Sequence, residues 1–443
     1  MRSVSQLADE VLARIGARAE AEVHVSGGPS ALTRFANSFI HQNVAEESIT
    51  VSLRLAVDGK VASGSTTNLT DEGLDRVVDD TVDLARLRPI DEEWPGVAGA
   101  AAVPQIERFD EETADVSPTV RARVVRDFVD AGPELRAAGY CETETRQVVF
   151  ANTAGQRIGG RYTRVTLDGI HQSESSAGSG HATSSRLSDI DGVVVGDLAA
   201  QRARDGMAPV DVEPGEYEVV LSPECVGTIA VFLGFYGLNA KMHLEGQSFV
   251  RLGEQQFDRR FNYFDDITDP RALGVPFDTE GTPKRRVALI EAGVTKSLVH
   301  DRRTAKRAGV ESTGHAMQGS EVWGPLPYTV FIGEGEDSVE SLIALVDRGL
   351  YVSTFNYCRV LDPKSLVVTG LTRNGTFMIE NGRITAAVTN LRFTQSFVGA
   401  FGDGRILGIG NDGRHADCEF GAGMVHAPSV RLAGWNFTGG AAG

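Results

Sequence analysis

Gly375-Thr376-Phe377-Met378-Ile379-Glu380-Asn381-Gly382-Arg383-Ile384-Thr385-Ala386-Ala387-Val388 is the stretch that decides the fold. The runs Gly375 to Glu380 and Arg383 to Val388 flank Asn381-Gly382, and an Asn-Gly pair between two alternating runs is the strongest short-range hairpin signal. An antiparallel sheet is therefore expected here. Working outward, Tyr217 to Leu221, Val287 to Glu291, Ser297 to His300, Tyr328 to Ile332, Ser365 to Gly370 and Leu391 to Gln395 also read as strands, with a turn at Glu291-Ala292-Gly293. Two helices interrupt the pattern. One runs from Pro223 to about Lys241; the other is Ser338 to Arg348, with Asp337 and Glu340 at capping-box spacing and Gly349 as its stop.

The first half alternates between the two periods. Leu7, Val11, Leu12 and Ile15 share one helix face after Ser5, ending near Gly16. Glu22 to Val25, Ala31 to Gln42, Ile49 to Val57 and Lys60 to Gly64 read as strands, the last two joined at Asp58-Gly59. A helix begins at Asp71, with Thr70 as its N-cap, and Pro89 stops it. Asp91 to Pro104 reads as an exposed connection. Phe35-Ala36-Asn37 recurs as Phe150-Ala151-Asn152, each followed by strand-like sequence and then a helix starting near Asp71 or Ser188, which suggests a duplicated strand-strand-helix unit. The boundary falls in Ala203 to Gly215, which carries Pro209 and Pro214. The expected fold class is α+β in two domains. Residues 1–208 form an antiparallel sheet with helices, and residues 209–443 a β-rich, sheet or barrel-like domain with a few helices.

With 443 residues, 41% hydrophobic and 23% charged, the chain has ordinary globular proportions. A net charge of −17 disfavours a nucleic-acid backbone as partner. The basic clusters Lys284-Arg285-Arg286, Arg302-Arg303 and Lys306-Arg307 are short and read as solvated faces or ion pairs with the acidic excess. Cys141, Cys225, Cys358 and Cys418 show no C-x-x-C spacing, so neither a zinc ribbon nor a disulfide framework is indicated, and reduced, buried thiols are expected. Residues 1–6 carry no apolar signal-peptide core, and the longest apolar run, Ile229 to Leu238, is too short to span a bilayer. A cytoplasmic location without a membrane role is the expectation.

The residues with chemical interest sit in Gly237-Leu238-Asn239-Ala240-Lys241-Met242-His243-Leu244-Glu245-Gly246. Together with Arg34-Phe35-Ala36-Asn37, Phe277-Asp278-Thr279-Glu280-Gly281-Thr282-Pro283, Ser312-Thr313-Gly314-His315 and Thr372-Arg373-Asn374-Gly375-Thr376-Phe377, this segment resembles the TldD/TldE (PmbA) family of zinc metalloproteases, formerly called modulators of DNA gyrase. The resemblance covers nearly the whole chain. In active subunits of that family a helix carries His-Glu-x-x-x-His and runs into Leu-Glu-Gly. Matching Leu244-Glu245-Gly246 to that Leu-Glu-Gly puts Gly237 and Met242 at the ligand positions and Leu238 at the general-base position. Gly237 has no side chain, Met242 offers a soft thioether, and Leu238 cannot accept a proton. The chain resembles the TldE-type subunit. The resemblance implies no catalytic or metal residue and no cofactor in this chain, with zinc in a TldD-like partner, as a heterodimer or heterotetramer acting on peptide or unfolded protein.

His243, Glu245, Tyr351, Arg373 and Asn374 are the candidate substrate-binding residues. On a continuing helix His243 and Glu245 diverge by about 200°, whereas on an extended exit they share a side. A relocated metal site would draw on His243 with Cys358, His300 or His315. Cys418, near the C-terminal region where the family's active subunits place a cysteine ligand, lies in surroundings that do not match it and reads as a structural thiol. An exposed strand edge near Tyr351 to Ser353 and Leu371 to Phe377 could hold a peptide by main-chain hydrogen bonds, with Arg373 pairing with a carboxylate. Gly178-Ser179-Gly180-His181 reads as a flexible loop rather than a nucleophile elbow. The face Val226, Ile229, Ala230, Leu233 and Gly237 reads as core or subunit interface. The alternatives to a non-catalytic subunit are a stand-alone peptide-binding or scaffold protein, or a hydrolase with a relocated metal site.

Overall fold

The computed structural model describes residues 2–440. Strands β1 (Glu20–Ala36), β2 (Phe39–Val57), β3 (Lys60–Thr66), β4 (Arg136–Asn152), β5 (Arg157–Gln172) and β6 (Ala177–Ser184) form one sheet in the order β3-β2-β1-β4-β5-β6. Every neighbouring pair in it is antiparallel. Helices Val4–Ile15 and Asp71–Leu87 cover one half of a single face through Val23, Val25, Leu53, Leu55, Leu74 and Val78. Helices Pro118–Asp130 and Gly192–Asp205 cover the other half through Val125, Phe128, Leu167 and Ala199.

The duplication is visible in this topology. Each half runs helix, three-strand meander, helix, and the repeated Phe-Ala-Asn triplets sit at the end of the first strand of each unit. The two units meet where β1 pairs with β4, Glu22 opposite Asn152 and Phe35 opposite Gly139. The repeat is larger than the strand-strand-helix expectation, and its second helix starts at Gly192 under an Asp191 cap rather than near Ser188. Ala31 to Gln42 is not one strand either. Asn37 and Ser38 both take positive φ and turn the chain between β1 and β2.

Gly178 to His181 is not a flexible loop but part of β6. Its glycines permit close packing of a helix: a Cβ at Gly180 would come within 3.1 Å of Val195 Cγ1, and one at Gly178 within 2.5 Å of the Ala203 amide nitrogen. The connection from Asp91 to Pro104 is irregular, as expected, but it is pinned. Trp94 is buried and its indole N–H donates to Glu20 at 3.1 Å.

The second half contains β7 (Gly215–Leu221), β8 (Tyr263–Asp265), β9 (Val287–Glu291), β10 (Val294–Thr295), β11 (Val330–Ile332), β12 (Arg348–Asp362), β13 (Val367–Glu380), β14 (Arg383–Ala387), β15 (Leu391–Ser396), β16 (Ile406–Ile409), β17 (Arg414–Cys418), β18 (Gly421–Ala427) and β19 (Val430–Gly440). One sheet runs β10-β9-β8-β11-β18-β17, the other β12-β7-β19-β15-β13-β14. An additional β12–β13 pairing closes five strands of the second sheet into a ring, the barrel-like element that the sequence led one to expect. Phe355, Phe393, Phe397 and Trp435 pack inside it, Phe355 stacked on Trp435 with centroids 5.1 Å apart. Such pairs add about 0.5–1.5 kcal/mol each beyond area burial.

Helix Pro223–Tyr236 is buried along nearly its whole length between the two sheets, so the Val226, Ile229, Ala230 and Leu233 face is core. It stops well before Lys241. The helix at 339 is also shorter than expected, Val339–Ala344, and its N-cap is Ser338, whose hydroxyl accepts from the Ser341 N–H, rather than Asp337. Gly349 is no helix stop, because β12 already begins at Arg348. Ser297 to His300 forms only an isolated bridge through Val299 to Asn239, and the strand expected from Tyr328 starts at Val330.

The Asn381-Gly382 turn is present with φ of 50° and 73°. A Cβ at Gly382 would lie 2.6 Å from the Ala344 carbonyl oxygen. Gly382→Val is therefore expected to lower stability by about 1–3 kcal/mol in urea unfolding, through the positive φ and the clash together.

Candidate functional site

The segment Gly237 to Gly246, which the resemblance implies stands at the ligand-helix position, is broken in the middle. The helix ends at Tyr236, Gly237 caps it through its N–H to Leu233 O, and Leu238 N–H reaches the same carbonyl. Asn239 then caps a separate short helix, Ala240–Leu244, by accepting from the Lys241 N–H at 2.9 Å. A Cβ at Gly237 would overlap the ring of Phe249 and come within 2.9 Å of Leu233 O. Leu238 is fully buried in the apolar core and Met242 is half-buried. Gly237, Leu238 and Met242 thus offer no imidazole, no carboxylate and no continuous helix, and the residues present do not fit a zinc ion there. Among the described residues, no group of three or more His, Cys, Asp or Glu side chains is arranged to hold a metal ion.

His243 lies on the short helix and Glu245 caps its C-terminus, so the extended exit that would align them does not form. Glu245 accepts from Lys241 Nζ at 2.6 Å. His300 is pushed down mainly by burial, against an opposing backbone hydrogen bond at Thr304, with His243 and His315 as smaller contributions in the direction of burial. His315, however, turns Nε2 toward Asp265, 3.1 Å away. Burial raises the Asp265 carboxyl, but His315, the Lys284 charge and the Thr329 backbone N–H outweigh it and hold the group at about 2. Cys358 sits on β12, its thiol pushed up mainly by burial. All four cysteines are free and buried.

Arg373 and Asn374 are brought together on a cleft of about 620 Å³, between the start of β6 and the β13 segment Leu371 to Thr376. β13 pairs with β15 up to Leu371 and with β14 from Phe377, leaving Arg373 to Gly375 between the two ladders. The chain is bent there: Asn374 has φ 55°, Gly375 has φ 127°, and the opposing β12 register shifts between Val352 and Thr354. Arg373 Nη1 donates to Asn356 Oδ1 at 3.2 Å, and it is the only cation among the described residues lining the cleft. Tyr351 is not part of this lining. Its hydroxyl accepts from Arg202 Nη2 at 3.2 Å and its ring packs against Phe377. The structure therefore unites Arg373 with Asn374 and leaves His243, Glu245 and Tyr351 elsewhere.

The strand pattern also missed a polar cleft where Glu22, His24, Ser52 and Arg54 of the first sheet face Glu280. Its signal was the polar alternation at positions 22, 24 and 26 and at 50, 52 and 54, which becomes a surface only when β1 and β2 are in register. The basic clusters are paired as expected: Arg303 with Asp91 and Glu93, Arg307 with Glu93, and Arg286 with Asp266.

Residues 214–439 match the family description "PmbA/TldA metallopeptidase C-terminal domain", and residues 21–85 match "PmbA/TldA metallopeptidase domain 1". The chain belongs to the PmbA/TldD metallopeptidase family. A "Metalloprotease TldD homolog" of Buchnera aphidicola is 27% identical over 199 residues, covering 44% of this chain and 39% of that protein. A "Metalloprotease TldD homolog" of Haemophilus influenzae is 27% identical over 197 residues, 43% of this chain and 39% of that protein. The chain thus matches about two fifths of the length of these curated relatives. The structure of TldE from Thermococcus kodakarensis superposes with a TM-score of 0.85 at 17% identity, covering 98% of this chain and 99% of that one. A Thermotoga maritima structure described as a modulator of a DNA gyrase gives 0.85 at 18% identity, covering 98% and 100%. At that identity the likeness concerns the fold. Among the described residues no helix is long and apolar enough to cross a membrane.

Proposed function

We propose that this chain is the TldE-type, non-catalytic subunit of a TldD/TldE-type zinc metalloprotease in the cytoplasm. It completes the cavity of a zinc-bearing TldD-like partner, in a heterodimer or heterotetramer, and positions unfolded peptide for hydrolysis there. The observation that carries this reading is the broken ligand segment. Both ligand positions and the base position hold Gly237, Met242 and Leu238, and Phe249 fills the space a ligand side chain would need. The Arg373 cleft supports the positioning role. An extended peptide can pair with the backbone left free between two ladders, and a guanidinium beside it suits a peptide carboxylate.

The test is metal analysis and peptide hydrolysis, on the chain alone and mixed with a TldD-like partner. The mixture hydrolyses unfolded peptide, whereas the chain alone holds no stoichiometric zinc and does not. Arg373→Ala in the mixture lowers kcat/KM by roughly 10- to 100-fold, the loss of one charge-assisted hydrogen bond, with its melting temperature unchanged. Stoichiometric zinc and hydrolysis by the isolated chain, abolished by His243→Ala, would refute the proposal.

A further inference from the structure

The first sheet has two unlike faces. Val23, Val25, Val51, Leu53 and Leu55 bury one face against the helices, while Glu22, His24 and Ser26 on β1, Thr50, Ser52 and Arg54 on β2, and Ser63 and Ser65 on β3 alternate onto the other. That polar face meets Thr279-Glu280 and the loop Ala316 to Glu321 of the second half across a cleft of about 540 Å³.

Among the described residues lining this cleft, the acids Glu22, Glu280 and Glu321 face a single cation, Arg54. Arg54 bridges Glu22 and Glu280, with Nη2 to Glu280 Oε1 at 2.7 Å. The second Glu280 oxygen accepts from the Arg302 backbone N–H, while the Arg302 guanidinium turns away to the Gly96 carbonyl. Asp278 and Asp301 lie next to Glu280, and burial followed by that carboxylate pushes both of them up. Glu22 is 4% exposed, and its Oε2 has no hydrogen-bond partner. Burial raises its carboxyl to about 7 against the opposing pull of Arg54, as expected for an acid with less positive charge than it can use. His24 is pushed down to about 4 by burial, so at neutral pH it adds no repelling charge. Serine and threonine hydroxyls cover the walls, and Ala316 and Met317 supply an apolar strip.

We infer that this cleft binds a primary ammonium group on a short aliphatic stem, from a lysine side chain or a chain-terminal amine, with Glu22 Oε2 as its principal acceptor. An ammonium has three donors and no acceptor, which matches an unsatisfied carboxylate surrounded by hydroxyls. The methylenes of the stem lie along Ala316 and Met317. This inference is independent of the zinc partner.

The test titrates the full chain by calorimetry with Nα-acetyl-lysine amide, its uncharged analogue Nα-acetyl-norleucine amide, and glycinamide. The lysine compound binds saturably, and the norleucine compound binds about tenfold more weakly or worse. Glu22→Gln weakens lysine-amide binding by about tenfold or more, since it removes the charge-assisted bond. Ser63→Leu, on the exposed rim opposite Arg54 on the neighbouring strand, obstructs entry and weakens it comparably without changing either acid, which keeps the test valid if Glu22→Gln fails to fold. Glycinamide binding as tightly identifies a chain-terminal amine as the source; its failure to bind identifies the lysine side chain. Absence of saturable binding, equal binding of the norleucine compound, or full affinity in a folded Glu22→Gln or Ser63→Leu chain would each overturn the inference.

Discussion

Placing a His-Glu-x-x-x-His motif on this segment by Gly237→His, Leu238→Glu and Met242→His yields a chain that melts far below its parent and holds no stoichiometric zinc. Three features of the structure cause this. Any side chain at position 237 overlaps the Phe249 ring, and even Gly237→Ala is expected to lose roughly 1–3 kcal/mol. Position 238 lies in the apolar core, where an unpaired carboxylate costs several kcal/mol unless it is protonated. The helix break at residues 237–239 takes positions 237 and 242 off a common helix, so two imidazoles would not converge. Unfolding of Gly237→Ala, Phe249→Ala and the double variant checks the first cause: removing the ring relieves the overlap, so the double variant loses less than the sum of the singles. Additive losses would assign the glycine some other purpose.

Arg414→Met is expected to lose roughly 3–5 kcal/mol, because it leaves Glu224 buried without its principal partner. Arg414 reaches Glu224 through Nε at 3.1 Å and through Nη2 to both carboxylate oxygens at 2.9 Å, and Ser222 donates to Oε2 at 2.9 Å. Burial raises the Glu224 carboxyl, but Arg414 and Arg202 outweigh it and hold the group at about 2. Arg202 remains in the variant, which places the loss toward the lower end of the range. The same depression fixes a pH dependence. A folded value of about 2 against the ordinary 4.5 means stability fully present above pH 4.5 and lost as pH falls through 2. Glu22 acts in the opposite direction. Its value of about 7 gives a contribution present below pH 4.5 and lost as pH rises through 7. Urea unfolding of the parent and Glu224→Gln between pH 2 and 5 isolates the first effect, since the difference between the two chains shrinks toward pH 2.

Local chemistry made much of the fold legible. The Asn381-Gly382 and Asp58-Gly59 turns and the Thr70 cap depend on a few neighbouring residues, and all are present. What sequence missed depends on distant partners. The helix from Pro223 runs through Gly227 and Gly234 without a break yet stops at Tyr236, where the Phe249 ring packs against Gly237, so glycine alone did not mark its end. β12 pairs in parallel with β7, Gly349 opposite Glu218, and its bulges interrupt the alternation that would have marked a strand. At the candidate site, Arg373 and Asn374 were legible because they share one short segment. The separation of Tyr351 was not, since it depends on Arg202 from another helix. The Glu22 cleft was hidden for the same reason: its three components come from residues 22, 54 and 280.

The closed barrel imposes an order on assembly. β19 sits between β7 and β15, so the ring lacks an internal stave until residues 430–440 exist, more than 200 residues after β7 is made. During synthesis β7 and β15 both present unpaired edges, the feature most prone to pairing with another chain. The long loop this closure spans also makes it a late, slow step. A ribosome stalled before Val430 therefore carries an open-sided barrel whose natural fate is capture by a chaperone or association with a neighbour.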